Sequence, residues 1–156
     1  MADPRQDLLH VLRRAYALAQ DVERSLKQFS DRHAGQAALA GPVTACLTQT
    51  LDQQRMLAEC LRRIDNGTPL PPSSQADSTA VRPLSADRSN QSTDDAVHEL
   101  TRIHVLVLQE IDVYSSGIAT AESGGFFETR LVCEGILLQK STMAAWLSRA
   151  TNRTAV

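Results

Sequence analysis

Glu110 and Tyr114 stand one helical turn apart in the stretch LQEIDVYSSG, residues 108–117. The spacing of their neighbours puts both on the apolar stripe of a predicted helix. An acid facing a core must bind a metal ion, be held by hydrogen-bond donors, or take up a proton. Gln53 and Gln54 supply amide donors on another predicted helix, and Glu134 is a second carboxylate on a predicted core stripe. These five residues, Glu110, Tyr114, Gln53, Gln54 and Glu134, form the candidate polar layer. If a metal is held, Glu110 and Glu134 are its ligands. No residue is assigned a catalytic role.

Other chemistry finds less support. His98 and His104 do not share a helix face, and His104 points to the opposite side from Glu110. His10 and His33 fall near the ends of the first predicted helix, so all four histidines read as surface or rim residues. Cys46, Cys60 and Cys133 lack a CxxC partner or a nearby His and read as small buried residues. There is no G-x-x-x-x-G-K, no G-x-G-x-x-G and no G-x-S-x-G, so no phosphate cradle or nucleophile elbow is expected. The net charge of -2 gives no overall pull toward nucleic acid or membrane. The doublets Arg13-Arg14 and Arg62-Arg63 have no interleaved aromatics and read as solvated faces. No apolar run approaches the ~20 residues that span a bilayer. The start, MADPRQDLLHVL, carries acids and lacks an apolar signal core, so a cytoplasmic protein is expected.

The elements that must position the layer are helices. Aromatics are only 4 % of the chain, so its core must be Leu, Ala, Val and Ile, which suits helix-on-helix packing. The first helix is expected over about 4–33, with Asp3 as cap and Pro4 in the first turn. Its seam is Leu8, Leu12, Ala15, Ala19, Val22, Leu26 and Phe29. The second, about 37–65, starts either at Pro42 or earlier near Ala37 with Pro42 inside. Its seam is Val43, Leu47, Thr50, Gln54, Leu57, Leu61 and Ile64, polar in the middle. The third, about 93–122, carries Ala96, Leu100, Ile103, Val107, Glu110, Tyr114, Ile118 and Ala121, with Ser92 and Asp95 as a capping pair. After the break ESGGF, the fourth, about 126–149, carries Phe127, Leu131, Glu134, Leu138, Ser141 and Ala145.

Residues 67–92, GTPLPPSSQADSTAVRPLSADRSNQS, hold four prolines, many serines and no period, and read as a linker. The layout is hairpin, long linker, hairpin. A helix of ~28 residues is ~42 Å long, and this linker can return the chain along that length. The expectation is a single all-α domain, a ferritin-like four-helix bundle of two antiparallel hairpins joined by a long crossover. An up-and-down bundle with an insert is the alternative.

All four helices resemble the YciE/YciF-type ferritin-like family. The likeness runs through LRRAYALAQDVERSLKQF (12–29), LTQTLDQQRMLAECLRRIDNG (47–67), LQEIDVYSSGIATAESGG (108–125) and LVCEGILLQKSTMAAWL (131–147). The resemblance implies a bundle built around two metal ions held by carboxylates from each helix. Most of those positions are replaced here. The family's first-helix Glu falls on Ala19, and its second-helix acids fall on Thr48 and Gln49. Its Gln or His there falls on Gln53. Glu110 and Tyr114 are kept, but the preceding His is Leu108. The fourth-helix acids become Leu137, Leu138 and Gln139, and the following Asp becomes Met143. Glu134 is one turn away.

Three arrangements of Glu110 follow. Tyr114, Gln53 and Gln54 hold it as a remnant; or its seam is turned to a solvent edge; or Glu110 and Glu134 hold one metal. The leading expectation is a bundle that has lost its di-metal centre and acts as a structural or interaction protein. The resemblance adds a bacterial, stress-linked homodimer. One alternative is an oxidase or peroxide-handling protein with iron or manganese at Glu110 and Glu134. Another is an adaptor or chaperone-like bundle that binds a partner through the 67–92 linker. No other cofactor is expected. Leu9, Val11 and Leu18, with Val105, Leu106 and Val113, give two helices a second apolar face, for pairing or for packing under the linker.

Overall fold

A computed structural model describes residues 3–65 and 89–155, and all of its regular structure is helical. The helices are α1 (Pro4–Arg32), α2 (Ala37–Ile64), α3 (Ser89–Gly124) and α4 (Phe127–Ala155). The 67–92 linker lies largely outside the described residues.

Helix α1 forms as its sequence dictates. The Asp3 side chain accepts from the Arg5 N–H at 3.1 Å, and Pro4 occupies the first turn, where its missing N–H costs nothing. All seven residues of its expected seam are buried. Each buried leucine there contributes roughly 1.5–3 kcal/mol of transfer free energy. Helix α2 starts at Ala37, with Pro42 in its interior. Helix α3 starts at Ser89, so the Ser92 and Asp95 pair lies inside the helix instead of capping it.

The α3–α4 turn is closed by hydrogen bonds from the Phe126 N–H to the Ala121 carbonyl (2.8 Å) and from the Gly125 N–H to the Glu122 carbonyl (3.2 Å). This pair of bonds needs a left-handed residue after the helix, and Gly125 has φ +79°. A Cβ on Gly124 would meet Pro4 at 2.9 Å, so that glycine lets the start of α1 approach.

The connectivity follows from which helix ends meet. The Arg5 Nε donates to the Ile64 carbonyl at 3.0 Å, which joins the start of α1 to the end of α2. Arg32 pairs with Glu99 at 2.6 Å, which joins the end of α1 to the early part of α3. Arg63 faces Glu128 at 3.8 Å, which joins the end of α2 to the start of α4. Each neighbouring pair is therefore antiparallel, and the diagonal helices α2 and α3 run parallel. Among the described residues no Cα atom of α2 comes within 8 Å of one of α3, and α2 and α4 approach each other least of the four neighbouring pairs. An up-and-down bundle would set α2 against α3, so the arrangement is two hairpins joined across the diagonal.

Two apolar clusters fill the core. One is built around Val22, Leu26, Phe29, Leu100, Ile103 and Leu147. The other is built around Leu8, Leu12, Leu57, Tyr114, Cys133 and Ile136. Helix α4 departs from its expected seam. Phe127, Leu131 and Leu138 are exposed, as are Ser141 and Ala145, while Thr129, Cys133, Ile136, Lys140, Met143 and Leu147 face inward. Helix α2 departs by a few tens of degrees: Cys46, Gln53 and Cys60 are buried with Val43, Thr50 and Leu57, and Leu47 and Gln54 flank them. The expected second apolar face of α1 and α3 is largely used inside the chain. Leu9 and Val113 are buried, Val11, Leu18 and Leu106 pack against the clusters, and only Val105 is open to solvent.

Candidate functional site

The two clusters are separated by a polar layer. Each helix places a residue there because its seam crosses the mid-plane at that point: Ala19 on α1, Thr50 and Gln53 on α2, Glu110 on α3 and Lys140 on α4. Ala19 leaves room, and its carbonyl accepts from the Gln54 side chain at 3.2 Å.

The centre of the layer is an ion pair. Lys140 Nζ lies 2.9 Å from Glu110 Oε1, and both side chains are fully buried. Lys140 was not among the residues expected at the site. Its signal was available: Cys133, Ile136, Lys140, Met143 and Leu147 step by 3, 4, 3 and 4, an inward seam once a lysine is admitted to it. Two opposite charges removed from water must face each other, because either one alone carries a large desolvation penalty. Burial pushes the Glu110 carboxyl above its ordinary value, and the neighbouring ammonium pulls it partly back.

The other expected residues are arranged differently from the expected cage. Gln53 Nε2 donates to Gln139 Oε1 at 2.8 Å, linking α2 to α4. Gln54 turns to α1, donating to Glu23 Oε1 at 2.8 Å as well as to the Ala19 carbonyl. Burial raises the Glu23 carboxyl, but bonds from Lys27 and Gln54 outweigh it and the net shift is downward. Neither glutamine reaches Glu110. Tyr114 is buried beside the layer, where burial and then the charge of Glu110 hold its phenol well above the usual range, so it stays protonated. Among the described residues no well-directed hydrogen bond reaches either Glu110 oxygen, Lys140 Nζ or the Tyr114 hydroxyl, so Glu110 and Lys140 are held together by charge at 2.9 Å. Glu110 is thus inside the core, which removes the solvent-edge arrangement, but its partner is Lys140 in place of Tyr114 and the glutamines.

Glu134 is on the outside. Its side chain is 45 % exposed and lies 3.9 Å from Arg130 on the same helix. The alternative in which Glu110 and Glu134 hold one metal does not fit, since one faces the core and the other faces solvent. The donor set does not fit a di-metal centre. One Glu110 oxygen is engaged by an ammonium, and that fixed positive charge sits where a cation would have to bind. Among the described residues no group of three His, Cys, Asp or Glu side chains converges.

His33 is another correction. It is buried at the end of α1, with its ring 4.5 Å from that of Phe29 and Nε2 3.5 Å from Glu99. His10 and His98 are exposed. The three cysteines are free and buried. Burial raises the thiols of Cys46 and Cys60 and pushes that of Cys133 up to about 12, so none is a ready nucleophile. No helix among the described residues is long and apolar enough to cross a membrane.

Comparison with known proteins supports the fold and says little about activity. A protein of Xanthomonas campestris pv. campestris, known from its crystal structure, superposes with a TM-score of 0.82 at 22 % identity. The match covers 98 % of this chain and 94 % of that one, and at that identity it speaks for the fold alone. No curated protein matches the chain. Residues 3–156 match the family described as Domain of unknown function (DUF892), and the chain belongs to that family.

Proposed function

We propose that this chain is a ferritin-like bundle, of the YciE/YciF type, in which an internal ion pair has replaced the di-metal centre. It acts as a structural or interaction protein, not as an enzyme. The observation that carries this reading is the fully buried contact between Lys140 and Glu110. A lysine ammonium neutralises the one core carboxylate as a metal ion would, but it binds no oxygen species and transfers no electron. The groups around the ion pair, a protonated phenol and amides, and the raised thiols supply no base or nucleophile near neutral pH. The resemblance extends the reading to a bacterial cytoplasmic protein with a stress-linked role, working as a homodimer. The oxidase alternative requires Glu110 and Glu134 on one site, and they occupy opposite faces.

The test is metal content. The protein is reconstituted anaerobically with ferrous iron or manganese, freed of loose metal, and assayed by elemental mass spectrometry beside its Glu110→Ala variant. The expected result is near-zero metal in both. One or two metal ions per chain in the parent, lost in the variant, would overturn the reading.

A further inference from the structure

Residues 66–88 join the end of α2 to the start of α3. Those two points lie at opposite ends of the bundle. Because α2 and α3 are diagonal, the segment has to pass on the outer side of α1 or on the outer side of α4. Reach does not decide between them: at ~3.3 Å per residue the segment extends to about 80 Å, and α4, with 29 residues, is about 43 Å long. Nor does its starting point. Asp65 reaches Arg13 on α1 at 2.9 Å, and Arg63 reaches Glu128 on α4 at 3.8 Å.

The two outer faces differ in their chemistry. On α1 every exposed position from Gln6 to Arg32 is polar or charged except Ala17. A chain laid there would dehydrate Arg13, Arg14, Arg24 and Lys27, which costs free energy without new partners. On α4 the exposed positions between Thr129 and Ser148 are Leu131, Gly135, Leu138, Ser141, Thr142 and Ala145, and none is charged. Leu131 and Leu138 are 59 and 71 % exposed, and Phe127, one turn before Leu131, is 57 % exposed. The nearest charges, Arg130 and Glu134, face each other at 3.9 Å along the edge of this strip. An exposed apolar strip of this kind marks an interaction surface.

We infer that the segment 66–88 crosses on the α4 side and packs its apolar residues on this strip. Its sequence suits that seat. Leu70, Val81 and Leu84 are its large apolar side chains. Pro69, Pro71, Pro72 and Pro83 add apolar rings and leave no backbone N–H to be stranded against an apolar face. Its two acids, Asp77 and Asp87, are balanced by Arg82 and Arg88, so it brings no net charge to an uncharged surface. The route also spans the edge between α2 and α4, the neighbouring pair that approach each other least, and ties the two hairpins together there. The outer face of α4 is then used within the chain, and a protein partner has to find another surface.

The test uses the full chain. Ser78→Cys, near the middle of the segment, gives one accessible thiol for a nitroxide spin label, because the native thiols are buried. The nitroxide broadens the nuclear magnetic resonance signals of amides close to it. The expected result is broadening at Leu131, Leu138 and Ala145, with Arg13, Arg14 and Arg24 on α1 left sharp. A mixture with the nitroxide on one chain and the isotope label on another should show no broadening. Leu138→Glu, with helical circular dichroism unchanged, should remove the effect from Leu131 and Ala145. Should that variant fail to fold, Leu70→Ser combined with Leu84→Ser strips the segment and leaves the bundle intact, and the same loss is expected. Broadening on α1 instead, or on neither face, would overturn the inference. So would equal broadening in the mixture, where a second copy is the occupant, or broadening that survives the loss of Leu70 and Leu84. Metal content bears on the ion pair alone, so the two readings fail separately.

Discussion

Replacing Lys140 by methionine tests the ion pair directly. The substitution keeps the length and apolar stem of the side chain and deletes the charge, which leaves Glu110 buried without its counter-ion. Removing one member of a buried pair costs about 3–5 kcal/mol. For a domain of this size about 1 kcal/mol moves Tm by roughly 2–4 °C, so Tm at pH 7 should fall by about 6–20 °C. The pH dependence follows from the direction of the carboxyl shift. Burial raises the folded pKa of Glu110 above its ordinary 4.5, with Lys140 opposing. The contribution of a group raised on folding is full below its unfolded pKa and is lost as pH rises through the folded one. Without Lys140 the folded value climbs further, so more is lost at neutral pH. The deficit of the variant should therefore be largest near pH 7 and narrow as the pH falls. At pH 4 the acid is mostly neutral in both chains, but only the parent still buries an ammonium, so the order can reverse. Glu110→Leu combined with Lys140→Met should recover the loss or gain about 1–4 kcal/mol. Thermal melts give the Tm change, and urea denaturation followed by circular dichroism at pH 7 and pH 4 gives the free-energy differences. A single variant within about 0.5 kcal/mol of the parent at pH 7, or a deficit independent of pH, would refute the account of Glu110 as a charge held by Lys140.

Two further outcomes are expected. Gly125→Ala should lose about 1–2 kcal/mol, the cost of a Cβ at its left-handed φ, read from the same urea curves; no loss would mean that the turn relaxes. A thiol-exchange reagent should label none of Cys46, Cys60 and Cys133 in the native protein and all three in urea, since each is buried and holds its proton; fast native labelling would show that the core opens.

The legibility of the fold differed from helix to helix for a physical reason. In α1 and α3 the buried face is also the most apolar face, so periodicity located Leu8 through Phe29 and Ala96 through Ala121 directly. In α4 that coincidence fails. Its inner face carries Thr129, Cys133 and Lys140, while its outer face carries Phe127, Leu131 and Leu138, and a ranking by hydrophobicity selects the outer one. The error carried over to the site. It brought Glu134 inward in prospect, where it stood as a second ligand, and it turned Lys140 out to solvent, where it went unnoticed. The inward placement of Glu110 was one of the arrangements its neighbours on α3 allowed, with a solvent edge left open beside it, and the identity of its partner depended on the one helix whose phase was misread. The amides of Gln53 and Gln54 were found, but adjacent positions on a helix point ~100° apart, and only coordinates show that one faces α4 and the other α1.

The slight contact between α2 and α4 has a consequence for how the charges come to be buried. Glu110 and Lys140 belong to the same hairpin, α3 with α4, which is closed by the short Gly124-Gly125 turn. Contacts so near in sequence form early, because little chain entropy is lost in closing them. On that ground the two side chains are expected to meet while still in water, before the α1–α2 hairpin docks. The later docking of the α1–α2 hairpin dehydrates a neutral pair and never an isolated ion. The same geometry works in reverse: parting α2 from α4 admits water to the pair without separating its members, so the interior can be wetted at that edge while its charges remain matched.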